Sequence, residues 1–202
     1  RPIAIEKVTI ASKYGGDRMV ELPKPYRMIV DFVTGKEIPE VGSEANRQDL
    51  ERYLVMQKNY AKQDIEVDAP IAFEVAGESY RSQVDLVVRL ETPQGLKRFM
   101  AIKCAAGSLG SREREILAAA RLLEDYQIPL AVVSDGQNAV VVDTLSGRKI
   151  GEGLEALPTK AEALKTLETL KLQPYPEERL ERERLIFRTY DVENVNVARN
   201  LP

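Results

Sequence analysis

The sequence has no histidine, no tryptophan and a single cysteine, Cys104. Without histidine the chain supplies no histidine general base, no Ser-His-Asp triad and no histidine-ligated zinc or iron. One cysteine excludes an intramolecular disulfide and a multi-cysteine metal site. The chemistry that remains belongs to carboxylates, lysine, arginine, hydroxyl groups and tyrosine, whose natural metal partners are oxygen-ligated cations such as Mg²⁺.

Long apolar runs are also missing, since none approaches the roughly 20 residues that a membrane-spanning helix requires. The first residues lack the charged and then apolar pattern of a signal peptide. We therefore expect a cytoplasmic protein without a membrane partner. The 202 residues are 44% hydrophobic and 30% charged, a globular composition, and this length favours one domain with additions.

The charge is unevenly distributed along the chain. The formal net charge is -3, which argues against a wholesale nucleic-acid binder. Residues 97 to 121, however, contain six basic and two acidic side chains. This basic segment is either a patch for an anionic ligand or one face of a solvated helix. Its basic members are Lys97, Arg98, Lys103, Arg112, Arg114 and Arg121.

Apolar spacing predicts a mixed α/β fold. Residues 1–40 are expected to form strands and a hairpin, and the similar segments 31–38 and 143–150 are expected to be hairpins with glycine in the left-handed region. A helix is expected from Ser43 onward, followed by strands over 65–75 and 80–90 that are joined by a turn at Gly77 and Glu78. A strand (99–104), a helix (112–126) and a strand (129–133) come next, and the two strands are expected to be parallel. Two further helices are expected over 159–171 and 177–190. In the strand 80–90, Val84, Leu86 and Val88 are expected on one face and Asp85 on the other.

This order of elements resembles the αβββαβ core of the PD-(D/E)xK nuclease superfamily. Glu44, Arg47 and Gln48 on the first helix, Asp85 in the segment RSQVDLVV, and Lys103 in the strand AIKCA resemble the N-terminal nuclease domain of type I restriction enzyme R subunits. The resemblance covers about residues 41–150. It implies a restriction-endonuclease-like core over 41–158, an N-terminal β extension (1–40) and a C-terminal helical appendage (159–202).

The resemblance also implies a site. In such nucleases two carboxylates hold Mg²⁺, and a lysine two residues after the second carboxylate stabilises the developing charge. Glu44 and Asp85 would be the metal ligands here, and we expect them in one cleft with Lys103. The pattern departs from the family at the third position, where Lys103, Cys104 and Ala105 stand in place of Glu-x-Lys.

Two explanations of this departure remain open. Either the second carboxylate has moved to the following helix, as Glu113 or Glu115, and the chain is a Mg²⁺-dependent DNA endonuclease of the type I or type IV restriction class. Or Lys103 makes a structural ion pair, and the chain is a catalytically inactive module that binds nucleic acid or a protein. Arg47, Gln48, Arg112 and Arg114 are the expected DNA contacts, and restriction-system subunits or a second copy are further expected partners.

Overall fold

Ten strands and four α-helices form the part of the chain that the computed structural model describes, which comprises residues 5–10, 18–23 and 26–193. The strands are β1 (Ile5–Ile10), β2 (Arg18–Pro23), β3 (Met28–Val30), β4 (Glu37–Pro39), β5 (Ile65–Val75), β6 (Glu78–Thr92), β7 (Gly95–Cys104), β8 (Leu130–Ser134), β9 (Ala139–Asp143) and β10 (Arg148–Glu152). The helices are α1 (Glu44–Met56), α2 (Glu113–Leu122), α3 (Lys160–Thr169) and α4 (Glu177–Glu193). Single turns of 3₁₀ helix lie at Lys62–Asp64, Gly110–Arg112 and Leu154–Ala156.

Six strands form one open sheet in the order β10-β9-β8-β7-β6-β5, so that each strand pairs with its neighbour in the chain. β7 and β8 are parallel and are connected through α2, whereas the other neighbouring pairs of this sheet are antiparallel. With α1 ahead of β5, the order of elements is αβββαβ. The expected mixed α/β fold class is confirmed.

Two apolar layers cover the two faces of the sheet. On one face Ala101 of β7 packs with Ile116 of α2 and Phe187 of α4, and we call this the α2 layer. On the other face Ile102 of β7 packs with Leu50 of α1, and we call this the α1 layer. Because the second half of β7, residues 99–104, is covered on both faces, it is a nearly continuous apolar run, and the charged residue Lys103 stands out in it.

β5 and β6 exchange faces at one point along their length. Val84 packs in the α2 layer, whereas Leu86 and Val88 pack in the α1 layer, so the prediction that these three residues share one face is wrong for Val84. At the same level of the sheet, Asp68 has a φ of 53°, which interrupts the alternation of β5. The surrounding register places Asp68 opposite Asp85. Two acidic residues therefore lie where the sheet changes faces.

The segments 31–38 and 143–150 are hairpins, as the sequence predicts. They join β3 to β4 and β9 to β10, both antiparallel pairs. Gly35 and Gly147 have φ values of 72° and 68°, so glycine is favoured at both turns. Asp31 and Asp143 each accept a hydrogen bond from the backbone N–H three residues later. In the N-terminal extension β1 pairs with β2, and residues 1–4, 11–17 and 24–25 lie outside the described part.

The C-terminal helices lie close to their predicted ranges. α3 begins with a capping box, in which Thr159 and Glu162 exchange hydrogen bonds. α2 ends at Leu122 rather than at residue 126, because Tyr126 turns toward the sheet and its hydroxyl accepts a hydrogen bond from Arg98 N at 2.8 Å. No helix in the described ranges is long and apolar enough to cross a bilayer. The domain boundaries at residues 40 and 158 stay a prediction.

Candidate functional site

Four charged side chains meet on the α2 side of the sheet, at the end of β7. Lys103 Nζ lies 3.6 Å from Asp85 Oδ2 and 3.1 Å from Glu115 Oε1. Arg112 Nη1 lies 3.5 Å from Glu115 Oε2. The exposed fractions of the Lys103, Asp85 and Glu115 side chains are 12%, 5% and 3%. We call these four residues the lysine cluster.

Strand register explains why Asp85 and Lys103 meet. β6 and β7 are antiparallel with Leu86 opposite Ile102, so the preceding and following residues, Asp85 and Lys103, share one face of the sheet. Asp85 Oδ2 also accepts a hydrogen bond from Cys104 N at 2.7 Å, which fixes its carboxylate across the strand end. Asp85 and Lys103 therefore lie side by side on one face of the sheet.

Of the two carboxylates expected to lean back from α2, Glu115 reaches the lysine cluster. Glu113 is half-buried near the loop, with its Oε1 beside Gly110. Burial raises the pKa of Glu115, and Lys103 and Arg112 oppose this effect. Glu115 therefore depends on its two basic neighbours to remain ionised.

A second set of charged and polar side chains surrounds Arg47 on α1. Its guanidinium lies 3.3 Å from Asp31, 2.6 Å from Glu44, 3.2 Å from Asp68 and 3.8 Å from Glu51. Gln48 Nε2 donates to Asp31 and Glu44, and Gln48 Oε1 accepts from Phe32 N. We call Asp31, Glu44, Arg47, Gln48, Glu51 and Asp68 the arginine cluster. It joins the β3–β4 turn and β5 to α1.

Cys104 lies within electrostatic reach of both clusters. Burial and then Asp85 raise the pKa of its thiol, while Arg47 and Lys103 act in the opposite direction. The net effect holds the pKa well above its usual value, so the thiol stays protonated at neutral pH. Cys104 therefore contributes a packed side chain and a backbone N–H to the site, and not a nucleophile.

The comparisons with known proteins agree with this architecture. Residues 42–158, more than half of the chain, match the family described as type I restriction enzyme R protein N terminus. The chain belongs to this family. The match begins just before α1 and ends ahead of α3, so it contains the αβββαβ core and the lysine cluster. No curated protein and no solved structure matches the chain.

Within the family core, the residues predicted to contact DNA have different surroundings. Arg47 and Gln48 are buried in the arginine cluster. Arg114 donates two hydrogen bonds to Glu183 of α4, and Arg112 has 29% of its side chain exposed. Their role in DNA binding stays a prediction. Glu44 contacts Arg47 and Gln48, and its place in one cleft with Asp85 and Lys103 also stays a prediction.

Sequence reasoning missed four acidic residues of these networks. Asp31 had a local signal, because the Asp-x-x-Thr-Gly turn indicates a structured loop. Asp68 had no local signal of this kind, because the same strand also contains Glu66 and Glu74. Glu51 and Glu183 had none, since an acidic residue on a polar helix usually faces solvent. Only the tertiary contacts with Val33, 18 residues away, and with Arg114, 69 residues away, reveal them.

The two carboxylates at the end of β7 that could hold Mg²⁺ are both paired with Lys103. The described residues contain no group of three acidic, histidine or cysteine side chains arranged to hold a metal ion. Asp85 and Glu115 provide carboxylates, which Mg²⁺ prefers, but the ammonium of Lys103 contacts both of them. One oxygen of Asp85 also accepts the Cys104 N–H. The lysine thus supplies the positive charge that these carboxylates require.

Proposed function

We propose that this chain is a DNA-binding domain of a restriction system whose nuclease-like site does not cleave DNA. The position of Lys103 carries this proposal, since its Nζ contacts the carboxylates of both Asp85 and Glu115. A buried carboxylate is stable in its ionised form only when a positive charge accompanies it. Lys103 and Arg112 provide that charge, so the site is electrostatically complete without a metal.

DNA is the favoured ligand for two reasons. The family is that of a restriction enzyme subunit, and such enzymes act on DNA. Arg112 also lies at the beginning of α2 with part of its side chain exposed, and a helix N-terminus and an arginine are both suited to a backbone phosphate. Binding of this kind requires no metal.

A second candidate function is Mg²⁺-dependent DNA cleavage. The observation that favours it is the position of Glu115, which reaches the end of β7 as a relocated second carboxylate would. Lys103 stands at the position of the second carboxylate and Ala105 at that of the lysine, so the strand itself supplies neither group. In this interpretation α2 replaces the carboxylate that the strand has lost.

The substitution Lys103→Met separates the two functions. If Lys103 is the counter-ion, the variant leaves Asp85 and Glu115 facing each other. It should then lose roughly 2–3 kcal/mol of unfolding free energy at about pH 8, somewhat less than a fully buried pair loses. Mn²⁺ should raise the Tm of the variant more than that of the unaltered protein, because two carboxylates become available to a cation. The exposed Lys165→Met is the matched control and should change neither quantity.

The measurements are thermal unfolding with and without Mn²⁺ or Mg²⁺, nicking of supercoiled plasmid, and fluorescence anisotropy with a labelled duplex. The proposal expects salt-sensitive duplex binding by the unaltered protein, no nicking and no metal-induced rise in Tm. Nicking in Mg²⁺ that Lys103→Met abolishes would establish the second candidate instead. Absence of nicking together with absence of duplex binding, by the unaltered protein and by every variant tested, would contradict both functions.

A further inference from the structure

Five of the six basic side chains in the segment 97–121 pair with acidic side chains of the same chain. Arg98 Nη2 contacts Glu66 at 2.8 Å, and its Nη1 contacts Glu124 at 3.2 Å. Lys103 and Arg112 belong to the lysine cluster, and Lys97 lies over the ring of Tyr126. Arg114 and Arg121 share the carboxylate of Glu183. The other acidic partners lie inside the family match, whereas Glu183 lies on α4, outside it.

Glu183 binds the two arginines in the way that a phosphate group would. Its Oε1 accepts hydrogen bonds from Arg114 Nη1 at 3.0 Å and Arg121 Nη1 at 2.5 Å, and its Oε2 accepts one from Arg114 Nη2 at 2.5 Å. Burial raises the pKa of Glu183, but the hydrogen bonds from both arginines outweigh this effect and leave the pKa below its usual value. Bidentate arginine contacts of this kind serve carboxylates and phosphates alike.

α4 packs against one face of the sheet through Phe187 but contributes no strand to it. It follows a non-helical segment, residues 170–176, that contains two prolines. Its other contacts reach the β5–β6 hairpin, where Glu181 accepts a hydrogen bond from Ala76 N and Arg188 pairs with Glu78. The pairing of the six strands does not involve α4. Undocking of α4 would therefore free the Arg114 guanidinium and Arg121 Nη1 from Glu183 without breaking any strand ladder, while Arg121 Nε and Nη2 keep their hydrogen bonds to Thr144 O.

We propose that α4 is an autoinhibitory helix whose Glu183 occupies an anion site formed by Arg114 and Arg121. When α4 undocks, the same two guanidinium groups bind a backbone phosphate of DNA. This inference rests on the proposed DNA-binding function and adds its regulation. A DNA phosphate and Glu183 compete for one site, so DNA binding and α4 docking oppose each other reciprocally.

The test compares Glu183→Gln with Glu178→Gln in the full chain. Both substitutions remove one negative charge from α4, but Glu178 is exposed in its first turn. The probe is a fluorescein-labelled DNA duplex of about 20 base pairs, and anisotropy is measured over a range of salt concentrations. Glu183→Gln should bind about tenfold more tightly than the unaltered protein, with a salt slope steeper by roughly one to two, because additional phosphates are neutralised. Glu178→Gln should bind like the unaltered protein.

Two further measurements guard against misfolding and against a general charge effect. In the double variant Glu183→Gln with Arg114→Gln, the gain in affinity should be largely lost while the circular dichroism spectrum stays native-like. In the unaltered protein, hydrogen exchange of the α4 amides should become faster when the duplex is added, because the ligand displaces the helix.

The outcomes distinguish the inference from the proposed function. If the unaltered protein binds the duplex but Glu183→Gln binds no better and α4 stays protected, the autoinhibitory role is refuted and the DNA-binding function stands. If only Glu183→Gln binds, the inference is supported in its strongest form, since the docked helix then blocks binding completely. If neither protein binds the duplex, both the inference and the DNA-binding function fail.

Discussion

Glu51 is completely buried between α1 and the β3–β4 turn. Its Oε2 accepts a hydrogen bond from Val33 N at 3.2 Å, but its Oε1 has no hydrogen-bond partner, and Arg47 Nε lies 3.8 Å away. Burial, with Asp31 and Glu44 nearby, raises the pKa of Glu51 to about 8, against the partial opposition of Arg47 and Val33 N. Glu51 is therefore mainly protonated at neutral pH.

This raised pKa predicts a specific dependence of stability on pH. The folded protein keeps the proton of Glu51 up to about pH 8, whereas the unfolded chain releases it near pH 4.5. The contribution of Glu51 to stability is therefore complete below about pH 4.5 and is lost progressively as the pH rises to about 8. Glu51→Gln removes this loss. The unfolding free energy of Glu51→Gln minus that of the unaltered protein should therefore increase by on the order of 4 kcal/mol when the pH is raised from about 5 to about 8.5.

Urea unfolding of both proteins at the two pH values measures the difference. The control is Asp49→Asn on the same helix, because the Asp49 side chain is 59% exposed and pairs only weakly with Arg52 at the surface. Its effect should be nearly the same at both pH values. A constant difference between Glu51→Gln and the unaltered protein would show that Glu51 titrates normally.

Individual residues differ in how far the sequence predicts them. Asp85 and Lys103 are predictable because each interrupts an apolar strand, and a buried charge in a strand requires a partner on the same face. Glu113 and Glu115 are the two candidates for the carboxylate on α2, and the sequence cannot rank them. They lie half a helical turn apart, so the choice depends on which face of α2 packs against β7. Glu183 is unpredictable, because α4 contains many acidic and basic side chains and only tertiary packing selects the one that is buried.

Among the elements, the β5–β6 hairpin has a turn that its sequence does not favour. The two residues of the turn, Ala76 and Gly77, have φ values of 51° and 77°. Such two-residue turns favour asparagine followed by glycine, because any Cβ is strained at positive φ, glycine has none, and the short polar side chain of asparagine offsets the strain by local hydrogen bonds. Ala76→Asn should therefore stabilise the protein by about 0.5–1 kcal/mol, measured as a rise in Tm of roughly 1–4 °C.

The neighbouring glycine provides a control with the opposite sign. A Cβ at Gly77 would meet no atom within 4 Å, so Gly77→Ala changes the backbone strain and not the packing. We expect it to lower stability by about 1 kcal/mol. Equal effects of the two substitutions would mean that the turn relaxes and that positive φ does not limit the stability of the hairpin.

Elements are more predictable than their boundaries in this chain. The sequence predicts the hairpin but places its turn at Gly77 and Glu78, one residue too late, because glycine is a strong turn signal and Ala76 is not. It predicts α2 but extends the helix to residue 126, since Tyr126 continues the apolar spacing. The structure instead uses Tyr126 to bond Arg98 on β7. In both cases a long-range contact or a backbone angle overrides a local pattern.

At the scale of the whole molecule, the segments outside the family match, before residue 42 and after residue 158, contribute to the charge balance and the packing of the core. Asp31, ahead of the matched segment, pairs with Arg47, and Glu183, after it, pairs with Arg114 and Arg121. Phe187 of α4 is only 2% exposed and its ring lies 5.9 Å from that of Phe73 and 6.4 Å from that of Tyr80. The core that the family match defines is therefore partly covered by residues outside it.

The docking of α4 predicts how the molecule responds to Phe187→Ala. Truncation of a buried phenylalanine typically lowers stability by about 3–5 kcal/mol. The loss in this protein is limited by the free energy of α4 docking, because the variant can undock the helix and keep the sheet folded. We therefore expect a loss near the lower end, roughly 3 kcal/mol, in urea unfolding followed by circular dichroism.

Hydrogen exchange shows which part of the molecule responds to this substitution. In Phe187→Ala the amides of α4 should exchange rapidly while those of β6, β7 and β8 stay protected, because the sheet is complete without the helix. Leu185→Ala is the matched control on the opposite side of α4, where the leucine is 44% exposed, and it should lower stability by less than about 1 kcal/mol. Equal loss of protection in α4 and in the sheet would show that the helix and the core unfold as one unit, and an autoinhibitory helix that undocks alone would then be excluded.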